Sequence, residues 1–223
     1  SAELNGGEAL PEAVAPALTE LSGSTMTLIT TDDGAGALEG DATAVSDVAA
    51  DQMLRVTNVG DIADQASLSA LLSDAAAQEA QIGELVSAAS SNGFVGVNVD
   101  YQGVAASQRE AFTSFVQSLD EALAAQGLAM AVTLGAPMQV DGDWDTAGHN
   151  WVALGEAADV VYAQMPLDPT AYADGGEAEQ LLNWATRHVD RYKMTMLTTA
   201  NAVDKLGESY TEMSNAEALA SFG

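Results

Sequence analysis

Residues 93–103 read Gly-Phe-Val-Gly-Val-Asn-Val-Asp-Tyr-Gln-Gly, an alternation that sends Asn98, Asp100 and Gln102 to one face of a strand and to its end. A carboxylate flanked by two carboxamides can orient a polar group or stabilise a developing charge. It lacks a proton donor, because the amide of Gln102 cannot act as an acid at any accessible pH. Asn98 can hydrogen-bond Asp100 but cannot share a proton with it. Tyr101 points the opposite way in a regular strand and is expected to pack rather than bind.

Other chemistry-bearing residues are sparse. There is no cysteine, which removes disulfides, thiolate nucleophiles and thiolate metal sites. His149 and His188 lack metal-ligand spacing, so no metal and no cofactor are expected. Asp141-Gly-Asp143-Trp-Asp145 alternates carboxylates like the start of a calcium loop. Thr146 stands at the expected glycine and Val152 at the expected bidentate glutamate, so an acidic surface loop is the reading. Trp144, in that loop, is a candidate for stacking on a sugar ring, and Trp151 is read as core. Asp32 and Asp33 sit in a turn and are read as solvent-facing.

Six apolar runs read as strands: 26–30, 53–58, 94–100, 129–134, 160–164 and 194–198. Helical patterns lie between most of them. Ala111, Phe112, Phe115, Val116, Leu119, Ala122 and Leu123 recur at helical spacing, with Gly127 as the stop. Ile82, Leu85, Val86 and Ala89 form a stripe before the strand at 94, and Pro11 opens a further helix through Leu21. Strand and helix alternating at this pitch indicate an α/β fold with a parallel sheet, as an open doubly wound sheet or a barrel. No strand is read before Glu8.

At 223 residues and 48% hydrophobic content the chain can bury a substantial core as one domain, residues 1–223. Thirty-three acidic against six basic residues give a formal charge of -27, which repels nucleic acid and anionic membranes. No apolar run is long enough to span a bilayer, so no membrane insertion is expected. The acidic coat suits a saline or extracellular setting, and the expected location is extracellular or at a cell surface.

The strand at 94–103 resembles the catalytic strand of glycoside hydrolase family 18, the chitinase-like barrels, whose motif Asp-x-x-Asp-x-Asp-x-Glu is occupied here by Val95, Asn98, Asp100 and Gln102. Residues 26–38, 53–58, 68–74 and 151–164 follow in an order similar to the spore-germination and cortex-lytic branch of that family. The resemblance implies a TIM (β/α)8-type barrel. It begins at the second strand and stops after the seventh, so the first and last strands are expected in flanking segments of a longer polypeptide, or in a partner chain that completes the barrel.

In that family the substrate's N-acetyl carbonyl attacks the anomeric carbon while the motif's glutamic acid protonates the leaving oxygen. By resemblance, Gln102 stands at the acid position, Asp100 at the acetamido-orienting aspartate, and Asn98 at the acid that shares its proton. Met165-Pro-Leu167-Asp168 stands where the family has Met-x-Tyr-Asp, which places Met165 as a substrate-binding candidate and Leu167 where a tyrosine is usual; Trp144, in the loop after the fifth strand on the catalytic face, is the other substrate-binding candidate. The expectation is a catalytically degenerate, pseudoenzyme-like domain that holds an N-acetylglucosamine-containing glycan or serves a structural role. One alternative is a weakly active hydrolase of chitin or peptidoglycan with Asp168 as substitute acid. Another is a purely architectural scaffold of an extracellular assembly.

Overall fold

The computed structural model describes residues 2–3, 20–31, 36–40, 42–44, 51–59, 64–198, 202–206, 209–213 and 218–220. Asp32, Asp33 and most of the helix expected from Pro11 lie outside them. The strands are β1 (Ala2–Glu3), β2 (Glu20–Thr30), β3 (Gly36–Glu39), β4 (Asp51–Thr57), β5 (Gly96–Asp100), β6 (Ala129–Leu134), β7 (Met138–Val140), β8 (Asp143–Asp145), β9 (Val160–Gln164), β10 (Met194–Leu197), β11 (Ala202–Leu206) and β12 (Ser209–Met213). The helices are α1 (Gln65–Ser73), α2 (Ala75–Ser91), α3 (Arg109–Ala124), α4 (Trp151–Ala157) and α5 (Glu177–Ala185).

The main sheet runs β1-β2-β4-β5-β6-β9-β10 with every pairing parallel, and β3 turns back antiparallel on β2. All six strands read from the sequence are present, in sequence order across the sheet. Two boundaries differ at the N-terminal side. Ala2–Glu3 pairs with β2 in the place of a first strand, although the glycine-rich start offered no apolar run. Glu20 and Leu21 belong to β2 rather than to a helix end, because β2 extends to pair with Asp51 and Gln52 of β4. The antiparallel hairpin of β11 and β12, beyond the last strand of the sheet, was not foreseen either.

Helices cover one face of the sheet. Val97 and Val99 of β5 and Tyr101 just after it point to this side and are fully buried with Leu85, Phe112, Phe115 and Leu119. Burying a side chain of this size contributes about 1.5–3 kcal/mol relative to leaving it exposed, so this layer carries much of the fold's stability. The other face bears a smaller apolar cluster of Met53, Ala131 and Tyr162 beneath the polar residues. Gly96 faces that side, and a Cβ there would run into the backbone of Ala129, so the close approach of β5 to β6 requires glycine.

Two aspartates set the helix starts. Asp64 accepts from the N–H groups of Ala66 and Ser67, both at 3.0 Å, and from Thr30 N and Oγ1 at 3.0 and 2.8 Å. It therefore caps α1 and fastens it to the end of β2. Asp74 accepts from Ala76 and Ala77 in the same manner at the start of α2.

His149 anchors the loop after β6 to the end of β5. Its Nε2–H donates to the Tyr101 carbonyl at 3.1 Å, and its ring lies 5.4 Å from that of Phe112. Because a carbonyl only accepts, the neutral ring must carry its proton on Nε2. Burial pushes the imidazole pKa below its ordinary value. As pH falls below about 6.5, the unfolded chain takes up a proton that the folded chain refuses, so stability is lost. Between about pH 7.5 and 5.5 the melting temperature of the protein should fall, and in His149→Gln the fall should be smaller. An identical slope in both proteins would rule out His149 as the cause.

Candidate functional site

On the face of the sheet away from the helices, Arg55 of β4 stands beside Asn98 of β5 in the ladder, and Thr57 stands beside Asp100. Asp100 is 3% exposed, and both of its oxygens are engaged. Oδ2 accepts from Arg55 Nε at 2.9 Å and is ion-paired to its Nη2, while Oδ1 accepts from the Gln102 side-chain amide. Asn98 Oδ1 accepts from Thr133 Oγ1 of β6 at 3.1 Å. Strand alternation thus brings Asn98, Asp100 and Gln102 into one cluster, as the spacing required.

Gln102 lies beyond the last residue of β5 but keeps strand-like bonding. The Asn58 side chain accepts from Gln102 N at 2.8 Å and donates to Gln102 O at 2.9 Å, so one carboxamide stands in for a peptide of the neighbouring strand. Gly135 leaves space for the Gln102 side chain, since a Cβ there would lie 2.8 Å from Gln102 Oε1. Gly103 then turns the chain away with a φ of 70°, in the left-handed region.

Asp168 is placed differently. It is half-buried past the end of β9, and its Oδ1 accepts from Thr170 N at 2.8 Å, capping the single 3-10 turn Pro169–Tyr172. Met165 and Leu167 are half-buried in the same connection, with Met165 N donating to Leu197 O at 3.0 Å. Trp144 sits on β8, half-buried, with its ring centroid 6.2 Å from that of Trp184. Val95 precedes β5 and is exposed.

The remaining expectations also have definite places. Tyr101 is fully buried among Phe112 and Phe115, with its hydroxyl donating to Gln81 Oε1 at 2.9 Å, and burial pushes its pKa upward. Trp151 is buried as expected. The alternating aspartates belong to the β7–β8 hairpin, whose two-residue turn at Asp141 and Gly142 has φ of 52° and 89°, a primed turn favoured by Asp-Gly.

Sequence reasoning missed Arg55, Asn58 and Thr133. A signal for Arg55 was present: a cation inside the apolar run Met-Leu-Arg-Val-Thr, in a chain with only six basic residues, needs a buried partner. Tyr162 was also missed. It sits opposite Thr133 and Thr195 in the ladder, and its buried hydroxyl has no hydrogen-bond partner among the described residues.

The site has cationic and anionic side chains in direct contact and a carboxamide donating into the carboxylate, so it can hold polar groups by hydrogen bonding. It holds the carboxylate as an acceptor. Removing Arg55 would leave Asp100 buried beside a neutral amide alone. Arg55→Met should therefore cost about 3 kcal/mol of stability, and adding Asp100→Asn should recover a substantial part of it. Additive losses in the double variant, measured by denaturant unfolding, would show that the pair is not coupled.

No protein-family model and no curated protein sequence matches the chain. Solved structures do. The spore cortex-lytic enzyme SleL of Bacillus megaterium superposes over 98% of this chain and 55% of its own, at 19% identity and a TM-score of 0.73. A chitinase from Chromobacterium violaceum does so over 94% of this chain and 70% of its own, at 24% identity and a TM-score of 0.69. Catalytic domain 2 of the Ostrinia furnacalis Group II chitinase, a mutant in complex with (NAG)5, covers 80% of this chain at 14% identity and a TM-score of 0.59. The chain spans little more than half the length of SleL and of the Ostrinia domain, at 55% of each. At these identities the likeness is one of fold, and that fold is the TIM-barrel-like α/β fold of the chitinases and cortex-lytic glycosidases.

Proposed function

We propose that this chain is a catalytically silent, glycosidase-like domain that holds an N-acetylglucosamine-containing glycan, within a longer secreted or cell-surface protein. The observation that carries this reading is the state of Asp100. Both its oxygens are held by hydrogen-bond donors, from Arg55 and Gln102, and no carboxylic acid is among the groups bonded to it. Such a cluster offers acceptors and donors to a bound sugar but no proton to a leaving group. The Ostrinia chitinase domain of the same fold in complex with (NAG)5 supports the choice of glycan. A strongly acidic surface supports a location outside the cell, and the shortened coverage of SleL supports flanking segments that complete the barrel.

The hydrolase alternative needs Asp168 as the substitute acid. Its Oδ1 already accepts from Thr170 N in capping its own turn, which orients the carboxyl toward that turn and leaves Oδ2 as the oxygen that would have to carry the proton. This weighs for binding over turnover. A scaffold without any ligand remains the outcome if no saccharide binds.

Hydrolysis of a fluorogenic chitooligosaccharide should stay at background in the native protein. Gln102→Glu alone should not restore more than a small part of the roughly 10²- to 10⁴-fold contribution of a general acid, because Asn98 and Leu167 still stand in place of the family's proton-sharing acid and tyrosine. The triple change Gln102→Glu, Asn98→Asp, Leu167→Tyr is the comparison. Turnover in the native protein that survives Gln102→Ala would overturn the assignment of the acid position. Absence of chitopentaose binding by calorimetry would overturn the glycan.

A further inference from the structure

The chain's three tryptophans converge far from one another in sequence but close in space. Trp184 of α5 lies 5.0 Å from Trp151 and 6.2 Å from Trp144 between ring centroids, with His188, in the turn after that helix, at 4.3 Å. Trp151 is buried and anchors the group, while Trp144 and Trp184 are half-buried. Between the β7–β8 hairpin and α5, Trp144 and Trp184 line a pocket of about 400 Å³ with Asp143, Gln180, Asn183 and Arg187. That volume falls in the range of small-molecule sites. None of Arg55, Asn98, Asp100, Gln102 or Thr133 lines it, so this pocket is separate from the cluster at the end of β5.

Its polar groups are unspent. The chain has six basic residues, and five have intramolecular partners. Arg55 pairs with Asp100, Arg109 donates to Ala147 O, Arg191 meets Tyr192, Lys193 donates to three carbonyls near the end of α4, and Lys205 is engaged on β11. Arg187 is the exception: its guanidinium has no partner among the described residues. Asp143 lines the same pocket without pairing to it, and the Asn183 carboxamide is likewise free. Gln180 is instead fixed at the rim, accepting from Gln139 Nε2 at 3.1 Å and donating to Gly175 O at 2.9 Å.

Indole walls beside a carboxylate, a carboxamide and a guanidinium with free bonding capacity fit a ligand with a flat apolar face and a rim of hydroxyls. A pyranose ring has that shape. We propose that this pocket binds one sugar unit of a neutral saccharide, its face against Trp144 and its hydroxyls on Asp143, Asn183 and Arg187. A net charge of -27 disfavours polyanions at long range, which selects neutral chains over acidic ones.

The test exploits the placement of all three tryptophans in one cluster, so their emission reports on this pocket. Chitopentaose and cellopentaose, with polygalacturonate as the anionic control, are titrated into the full chain while tryptophan emission and calorimetric heat are followed. A saturable emission change with a neutral oligosaccharide is expected, weakened about tenfold by Trp144→Ala and severalfold by the exposed-site variants Asn183→Ala and Arg187→Gln. Gln102→Ala should leave the emission change intact, which separates this pocket from the β5 site. Calorimetric binding without an emission change would overturn the pocket and leave the β5 site standing. So would an emission change unaffected by all three pocket variants. Tighter response to polygalacturonate would overturn the neutral class.

Discussion

A carboxylate removed from water must find opposite charge or hydrogen-bond donors, and Asp100 is the place where this chain meets that demand. Arg55 reaches it from the adjoining strand, and the Gln102 amide closes on the other oxygen. The surrounding details follow from holding three long polar side chains in one geometry. Asn58 clamps the Gln102 backbone, Gly135 leaves its side chain space, and bare Gly96 lets β6 come close enough for Thr133 to reach Asn98. A substitution at any of these positions would be felt at Asp100, although its side-chain hydrogen bonds come from Arg55 and Gln102.

The opposite face of β5 explains why that geometry is rigid. Tyr101, immediately after Asp100, is wedged between the rings of α3 and bonded to Gln81 of α2, while its carbonyl takes the His149 N–H. Polar residues on one side of the strand are thereby registered by aromatic packing on the other. Alternation at period two couples the two faces, since slipping β5 by one residue would exchange Asp100 with Tyr101 or Val99 and bury the charge against helices.

Much of this was legible in sequence. The six apolar runs, the helix stripe of α3 and the stop at Gly127 are local signals, written in residues that each bury or turn for themselves. So was the opposed orientation of Asp100 and Tyr101. What escaped were features decided by neighbours in space. Ala2–Glu3 becomes a strand because β2 offers an edge to it, without any apolar run of its own. Glu20 and Leu21 extend β2 because Asp51 and Gln52 lie alongside. Arg55 was visible as an oddity in an apolar run, yet its partner, more than forty residues away, could be named only from the ladder. Asp168 reads as a site residue by its position after a strand, and the Pro169 turn that claims its carboxylate is a local alternative of equal simplicity.

The scarcity of cations gives the electrostatics an unusual division. With 33 acidic residues and six basic ones, most surface carboxylates cannot pair and depend on water for their stability. Three of the basic residues are spent at junctions between elements. Arg55 neutralises a buried carboxylate, and Lys193 gathers the carbonyls of Gly155, Glu156 and Ala158, where a helix end carries partial negative charge. Arg109 holds the Ala147 carbonyl in the loop that delivers His149 to Tyr101. These three cations thus each fix one junction between elements, and much of the specific electrostatics of this fold resides at those junctions while its surface contributes mutual repulsion softened by salt.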